Sequence, residues 1–163
     1  MMRMIDLPVF WTILIDFAAW LVIHIGISVI ALHRPDRPFE KDSWLYRIRD
    51  WEQGGLFWQK RCAVRRWKAF LPDGGALFKK GFAKKHLQAT DPAYLAAFIR
   101  ESRRAEWTHW LTIPFALLFF LWNPPSVGVF MIVYALAVNL PCIVAQRFNR
   151  PRLQKWLGQL KEL

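Results

Sequence analysis

Three apolar runs, separated by segments rich in charge and proline, set the pattern of the chain. The first, residues 7–32, is interrupted only by Asp16, His24 and a few small polar residues. It is long enough to cross about 30 Å of hydrocarbon. A cleaved signal peptide would have an apolar core of about 7–15 residues and a small-residue cleavage site. This run is longer and carries an acid, so it reads as a retained first transmembrane helix, ended by the prolines of His33-Arg34-Pro35-Asp36-Arg37-Pro38. The second run, residues 111–122, is short for a span. It reaches span length only if its helix starts near Trp107, with Trp107 and Trp110 at the membrane interface. Asn123-Pro124-Pro125-Ser126 stops it, and a third run follows, broken only by Gly128, Asn139 and Pro141. The pattern predicts spans over 7–32, 107–122 and 127–146. A re-entrant hairpin formed by the last two runs is the alternative to three spans.

Between the first two runs lies a long basic segment, residues 33–106. Trp44, Leu45, Ile48 and Trp51 fall on one helical face, which predicts a helix lying in the interface and broken at Gly54-Gly55. A second amphipathic helix is expected over 56–71, a turn at Pro72-Asp73-Gly74-Gly75, and a third short helix over 76–87. Asp91 and Pro92 form a helix start, with the acid as cap and the proline in the first turn. That helix runs into the second apolar stretch, where Pro114 should kink it. The tail, residues 147–163, is basic and ends in a short amphipathic piece with Leu153, Trp156, Leu157 and Leu160 on one face. The fold class expected is an all-α membrane protein of about three transmembrane helices plus interfacial helices, forming a single integral-membrane domain.

Composition sharpens this. A length of 163 residues suits one domain, and 55% hydrophobic with 21% charged residues fits only if the charges are segregated from the apolar runs. A net charge of +11 calls for an anionic partner. Ten Trp and thirteen Phe beside bilayer-length runs favour lipid, so membrane lipids are the expected partner and nucleic acid is not. Cys62 and Cys142 lie in unlike settings and predict no mutual disulfide. Apart from Arg3, every Lys and Arg lies after the first run and outside the 123–126 turn. The positive-inside rule then puts the N-terminus and that turn outside, and the basic segment and C-terminus in the cytosol.

Glu101-Ser-Arg-Arg-Ala-Glu-Trp-Thr-His-Trp110 concentrates charge at the mouth of the second run. Glu101 and Arg104 are three apart, as are Glu106 and His109, so each pair can meet on a helix. A carboxylate beside His109 could orient one ring nitrogen and leave the other as a base. Ordinary helix ion pairing explains the same spacing. Asn139, Gln146 and Arg150 recur at seven and four residues and share a helical face. They could wall a polar cavity with Arg147 and Asn149, or serve only as glue between helices. Asp16, Trp20 and His24 recur every four residues and could add to that wall or pair structurally. Arg65-Arg-Trp67-Lys68 suits a lipid surface, or more sharply the phosphates of an acyl donor. The His residues lack metal-ligand spacing and no Gly-rich phosphate loop occurs, so no metal or other cofactor is expected.

The pattern Glu101-x-x-Arg104-x-Glu106-x-x-His109-Trp110, then Asn139-x-Pro141 and Gln146-Arg147-Phe148-Asn149-Arg150-Pro151-Arg152, resembles the glycosyl-4,4'-diaponeurosporenoate acyltransferase family. Gly55-x-Phe57-Trp58, Arg65-x-Trp67-Lys68 and Asp73-Gly74 extend the resemblance, which covers residues 44–157. Phe148 stands where the family pattern carries Tyr. The resemblance implies a bacterial cell-membrane enzyme that transfers a fatty acyl group to a sugar hydroxyl of a glycosylated carotenoid. His109 is then the expected base, with Glu106 or Glu101 orienting it. Arg104, Trp110, Asn139, Gln146, Arg147, Asn149 and Arg150 would bind substrate, and Arg65, Trp67 and Lys68 would form the donor or lipid surface. The partners implied are an acyl donor, either acyl-CoA or acyl-carrier protein, and a lipid-like hydroxyl acceptor. A non-catalytic anionic-lipid-binding subunit, or a membrane transferase with another donor, would carry the same residue types.

Overall fold

The computed structural model describes residues 7–71 and 91–162, which contain helices and turns and no strand. The turn expected at 72–75 and the helix expected at 76–87 lie outside the described residues. Five α-helices are used below: α1 (Val9–His33), α2 (Leu56–Cys62), α3 (Val64–Trp67), α4 (Pro92–Thr112) and α5 (Pro125–Lys161). They are joined by 3₁₀ segments at Arg37–Phe39, Asp50–Gly55, Lys68–Phe70 and Ile113–Leu121.

The chain divides into two compact units. One holds the chain up to His33 together with Thr108–Leu140, and the other holds Arg34–Trp107 with Pro141–Leu163. Both α4 and α5 pass from one unit into the other.

In the first unit, α1 and α5 are each long and apolar enough to cross a membrane. A 25-residue helix reaches about 37 Å at 1.5 Å per residue. α1 is apolar all round and exposes Phe10, Phe17, Leu21 and Val22, with Phe17 74% exposed. A core helix of a soluble protein would bury such residues. A small core forms where Trp20 stacks on Phe119, with ring centroids 4.7 Å apart, beside Ala116 and Ala135. Trp20 Nε1 also donates to Met131 Sδ at 3.3 Å. Asp16 is buried and accepts from Trp122 Nε1 at 2.8 Å and Asn123 Nδ2 at 2.7 Å. The acid therefore ties α1 to the turn after the second apolar run. That run changes from α to 3₁₀ at Ile113, beside Pro114, whose ring nitrogen has no N–H for an α-helical bond.

In the second unit, α4 starts as the sequence predicts: Asp91 Oδ1 accepts the Tyr94 N–H at 2.9 Å, with Pro92 in the first turn. Leu95, Phe98 and Ile99 pack against Leu153, Trp156, Leu157 and Leu160. Where an interfacial helix was expected over 44–51, the chain makes a turn and then a 3₁₀ segment. The helix expected over 56–71 is divided at Ala63, which takes φ 47°. The Gln59 side chain accepts the Arg65 N–H at 3.0 Å and so restarts α3. Gly55 has φ 86°, and a Cβ there would lie 3.0 Å from the Phe148 carbonyl oxygen and 3.1 Å from that of Arg147. Only glycine lets these backbones approach so closely. The tail is not a separate piece: α5 continues through Pro141 and Pro151 to Lys161.

Candidate active site

The second unit is organised around a buried four-membered ion network. Arg147 Nε and Nη2 donate to Glu52 Oε2 and Oε1 at 2.9 and 2.5 Å. Its Nη1 donates to Glu106 Oε1 at 2.7 Å and to the Leu45 carbonyl at 3.1 Å. Nη2 also donates to the Arg47 carbonyl at 3.0 Å. All five guanidinium donors are therefore used. Arg150 is fully buried; its Nη2 lies 2.6 Å from Glu106 Oε2 and donates to the Tyr46 carbonyl at 2.8 Å. Nε and Nη1 of Arg150 find no hydrogen-bond partner among the described residues.

Electrostatics follow from this geometry. Burial alone would raise the Glu52 carboxyl, but hydrogen bonds from Arg147, the Arg49 N–H and Trp58 Nε1 outweigh it and hold the carboxyl below its usual range. Burial pulls the Arg150 guanidinium down, and Glu106 opposes that pull. The Tyr46 phenol is pushed up by burial and by the charge of Glu106.

A second set pins residues 34–42 to α4. Arg103 Nε donates to Asp42 Oδ1 at 2.8 Å, and its Nη1 reaches the Phe39 and Glu40 carbonyls, each at 3.0 Å. Arg104 pairs with Asp36, donates to the Arg34 carbonyl at 2.7 Å and to Glu101 Oε1 at 3.2 Å. Glu101 and Arg104 thus meet as their spacing predicts, and Asp36 joins them.

In the first unit, His109 Nδ1 lies 2.9 Å from Asn139 Oδ1. Asn139 is buried, and its Nδ2 donates to the Ala135 carbonyl at 2.8 Å. A flipped amide would set two carbonyl oxygens against each other. Asn139 therefore presents an acceptor to the ring, and His109 carries a proton on Nδ1. Trp110, one residue on, is 37% exposed.

Of the basic surface, Trp67 Nε1 donates to the Cys62 carbonyl at 2.6 Å, and Arg65 is exposed. Lys68 turns inward and donates to Asn149 Oδ1 at 2.8 Å. Gln146 is half-buried.

A model of the glycosyl-4,4'-diaponeurosporenoate acyltransferase family matches residues 42–159. The chain belongs to this family. Glycosyl-4,4'-diaponeurosporenoate acyltransferases of Staphylococcus aureus strains bovine RF122 / ET3-1 and USA300 are each 33% identical over 142 residues, 87% of this chain and 86% of the relative. No solved structure matches. The protein is thus an acyltransferase, and the family match contains the whole ion network and the His109–Asn139 pair.

Sequence reasoning missed Glu52, Asp36 and Asp42; it set Arg103 beside Glu106, three residues on, and the structure shows Arg103 on Asp42. A signal for Glu52 existed: it and Asp50 are the only acids among seven Lys and Arg over residues 44–71. An isolated acid in a basic segment is a candidate internal counter-charge. Asp36 and Asp42 gave no such sign, because their partners lie some sixty residues away.

Proposed function

We propose that this protein is an integral-membrane O-acyltransferase that moves a fatty acyl group from a thioester donor, acyl-CoA or acyl-carrier protein, to a hydroxyl of a lipid-like acceptor. The relatives' name makes a glycosylated carotenoid acid the acceptor of choice. The protein would sit as one domain in a bacterial cell membrane, N-terminus outside and C-terminus cytosolic, with spans over 7–32, 107–122 and 127–146. Exposed Trp44 and Phe70 beside Arg and Lys suit a lipid interface on the cytosolic side.

The His109–Asn139 contact carries the reading. With Nδ1–H donated to Asn139, Nε2 is the basic nitrogen. It takes the acceptor hydroxyl proton as that oxygen attacks the thioester carbonyl carbon. The C–S bond then breaks, the new ester C–O bond remains, and Nε2–H returns the proton to the leaving thiolate. Asn139 is an orienting residue, since both ends of its amide are engaged. Glu106 and Glu101 act as positioning residues: Glu106 is held against Arg147 and Arg150, and Glu101 against Arg104. No nucleophilic Ser or Cys takes part, so transfer is direct.

The test is acyl transfer from a long-chain acyl-CoA to a glycosylated carotenoid acid by purified protein in neutral detergent, followed by chromatography of the ester. His109→Gln should melt like the wild type and lose about 10²–10⁴ in turnover. Cells lacking the protein should accumulate the unacylated glycoside. A folded His109→Gln protein with full turnover overturns the assignment.

A further inference from the structure

The buried arginines of the second unit each face a carboxylate: Arg103 meets Asp42, Arg104 meets Glu101 and Asp36, Arg147 meets Glu52 and Glu106, and Arg150 meets Glu106. Arg65, Lys68 and Arg152, like other more exposed Lys and Arg of the unit, stand outside this pattern. None of the three pairs with a carboxylate among the described residues, yet they are drawn together. Lys68 Nζ lies 5.1 Å from the Phe148 ring centroid and Arg152 Cζ lies 3.7 Å from the same centroid, so the two charges are within about 9 Å of each other. Arg65 precedes Lys68 by three residues, close to one turn. Burial, then Arg152 and Arg65, pull the Lys68 ammonium below its usual range.

Asn149 completes the set. Its Oδ1 accepts from Lys68, which fixes the amide, because an ammonium only donates. Its Nδ2 donors find no partner among the described residues, and the side chain is half-buried. A cluster of three cations with an oriented N–H donor beside them and no counter-charge among the described residues is complementary to a compact anion with several acceptor oxygens.

We propose that Arg65, Lys68, Arg152 and Asn149 form a binding site for a phosphate ester. Lys68 and Arg152 supply charge across the Phe148 ring, Arg65 closes the exposed side, and Asn149 Nδ2 donates to a phosphate oxygen. Two sources carry this chemistry: the phosphates of a coenzyme A thioester and the headgroup of an anionic lipid. The acyl-transfer reading enters only in choosing coenzyme A as a probe.

The experiment uses the full chain in neutral detergent micelles. Binding is read by calorimetry and by thermal shift for coenzyme A, for phosphate-free pantetheine, and for micelles doped with phosphatidylglycerol or with diacylglycerol. Coenzyme A, phosphatidylglycerol or both should bind and raise the melting temperature, whereas pantetheine and diacylglycerol should not. Binding of coenzyme A alone names the donor as the source, and binding of phosphatidylglycerol alone names the lipid. Arg65→Gln/Arg152→Gln trades mutual repulsion against the Arg152 contacts to the Phe148 carbonyl and ring, should stay folded without ligand, and should bind at least tenfold more weakly. Lys68→Met should weaken binding likewise. His109→Gln should bind as the wild type does, which separates failure here from failure of the catalytic assignment. The site is refuted if neither phosphate carrier binds, or if either binds the double variant with undiminished affinity.

Discussion

Replacing Glu106 by Gln changes one buried charge and almost no volume. The network of Glu52, Glu106, Arg147 and Arg150 is neutral as a set, and Glu52, Glu106 and Arg150 are fully buried. With Glu106 neutral, Arg147 keeps its two bonds to Glu52, but Arg150 loses its one carboxylate within ion-pair distance among the described residues. Two of its nitrogens, Nε and Nη1, already lack a partner among the described residues. Removing one member of a buried pair costs about 3–5 kcal/mol, because the surviving charge stays desolvated. At about 2–4 °C per kcal/mol for a chain of this size, Glu106→Gln should melt roughly 6–20 °C lower. Adding Arg150→Met removes the orphaned charge as well and should restore at least half of the loss, since an apolar replacement of a whole buried pair is often neutral. The assay is thermal unfolding of purified protein in neutral detergent, followed by tryptophan fluorescence. The reasoning fails if Glu106→Gln melts within about 2 °C of the wild type, or if Arg150→Met adds a further full loss. A normal melting temperature with lost turnover would instead place Glu106 in the chemistry.

Further outcomes follow from the same geometry. Glu52 has a folded-state pKa below its unfolded value of about 4.3, so its contribution is complete above that pH and disappears as pH falls through the folded value. Melting curves taken from about pH 6 down to pH 3 should show an acid limb that is shallower in Glu52→Gln, and equal limbs would contradict this. Gly55→Ala should cost about 2–4 kcal/mol, since it combines a left-handed φ with a Cβ 3.0 Å from the Phe148 carbonyl oxygen. Unchanged denaturant stability would show that the close approach is relaxed in solution. Asp16→Ala strands the donors of Trp122 and Asn123 and should cost about 2–4 kcal/mol, measured by thermal unfolding, while leaving coenzyme A or phosphatidylglycerol binding intact. Asn139→Leu should lower turnover through loss of ring orientation with little change in KM for the acceptor. A raised KM at constant turnover would assign Asn139 to substrate binding instead.

The helices were legible where local chemistry determined them. Asp91 and Pro92 start α4, and the apolar run at 7–32 forms α1. Pro114 marks the change of helix type. The short pieces were not legible. Whether residues 44–51 coil or turn depends on Arg147 reaching the Leu45 and Arg47 carbonyls from a hundred residues away. Nothing local could show that Pro151 sits inside a helix rather than at its end. The lost Pro151 N–H is tolerated in a stretch whose apolar side, Leu153 and Trp156, is packed on α4. Site residues followed the same division. Glu101 and Arg104 meet because three residues separate them, whereas the Asn139 acceptor for His109 needed the fold.

The arginines show why net charge misleads as a guide to partners. A charge of +11 invites the view that every basic residue waits for an anion. Four of the arginines in the charged motifs, Arg103, Arg104, Arg147 and Arg150, are instead buried against acids and backbone carbonyls of the same unit. The reason is geometric. A planar guanidinium with five donors can satisfy several carbonyls in irregular backbone, which 3₁₀ segments and turns leave unpaired, and a lysine cannot do so with the same fixed fork. A unit that holds short irregular pieces against helices therefore consumes arginine internally. The surplus that does face a ligand must be sought among the cations outside this internal pairing, and of these Arg65, Lys68 and Arg152 are the ones gathered around Phe148.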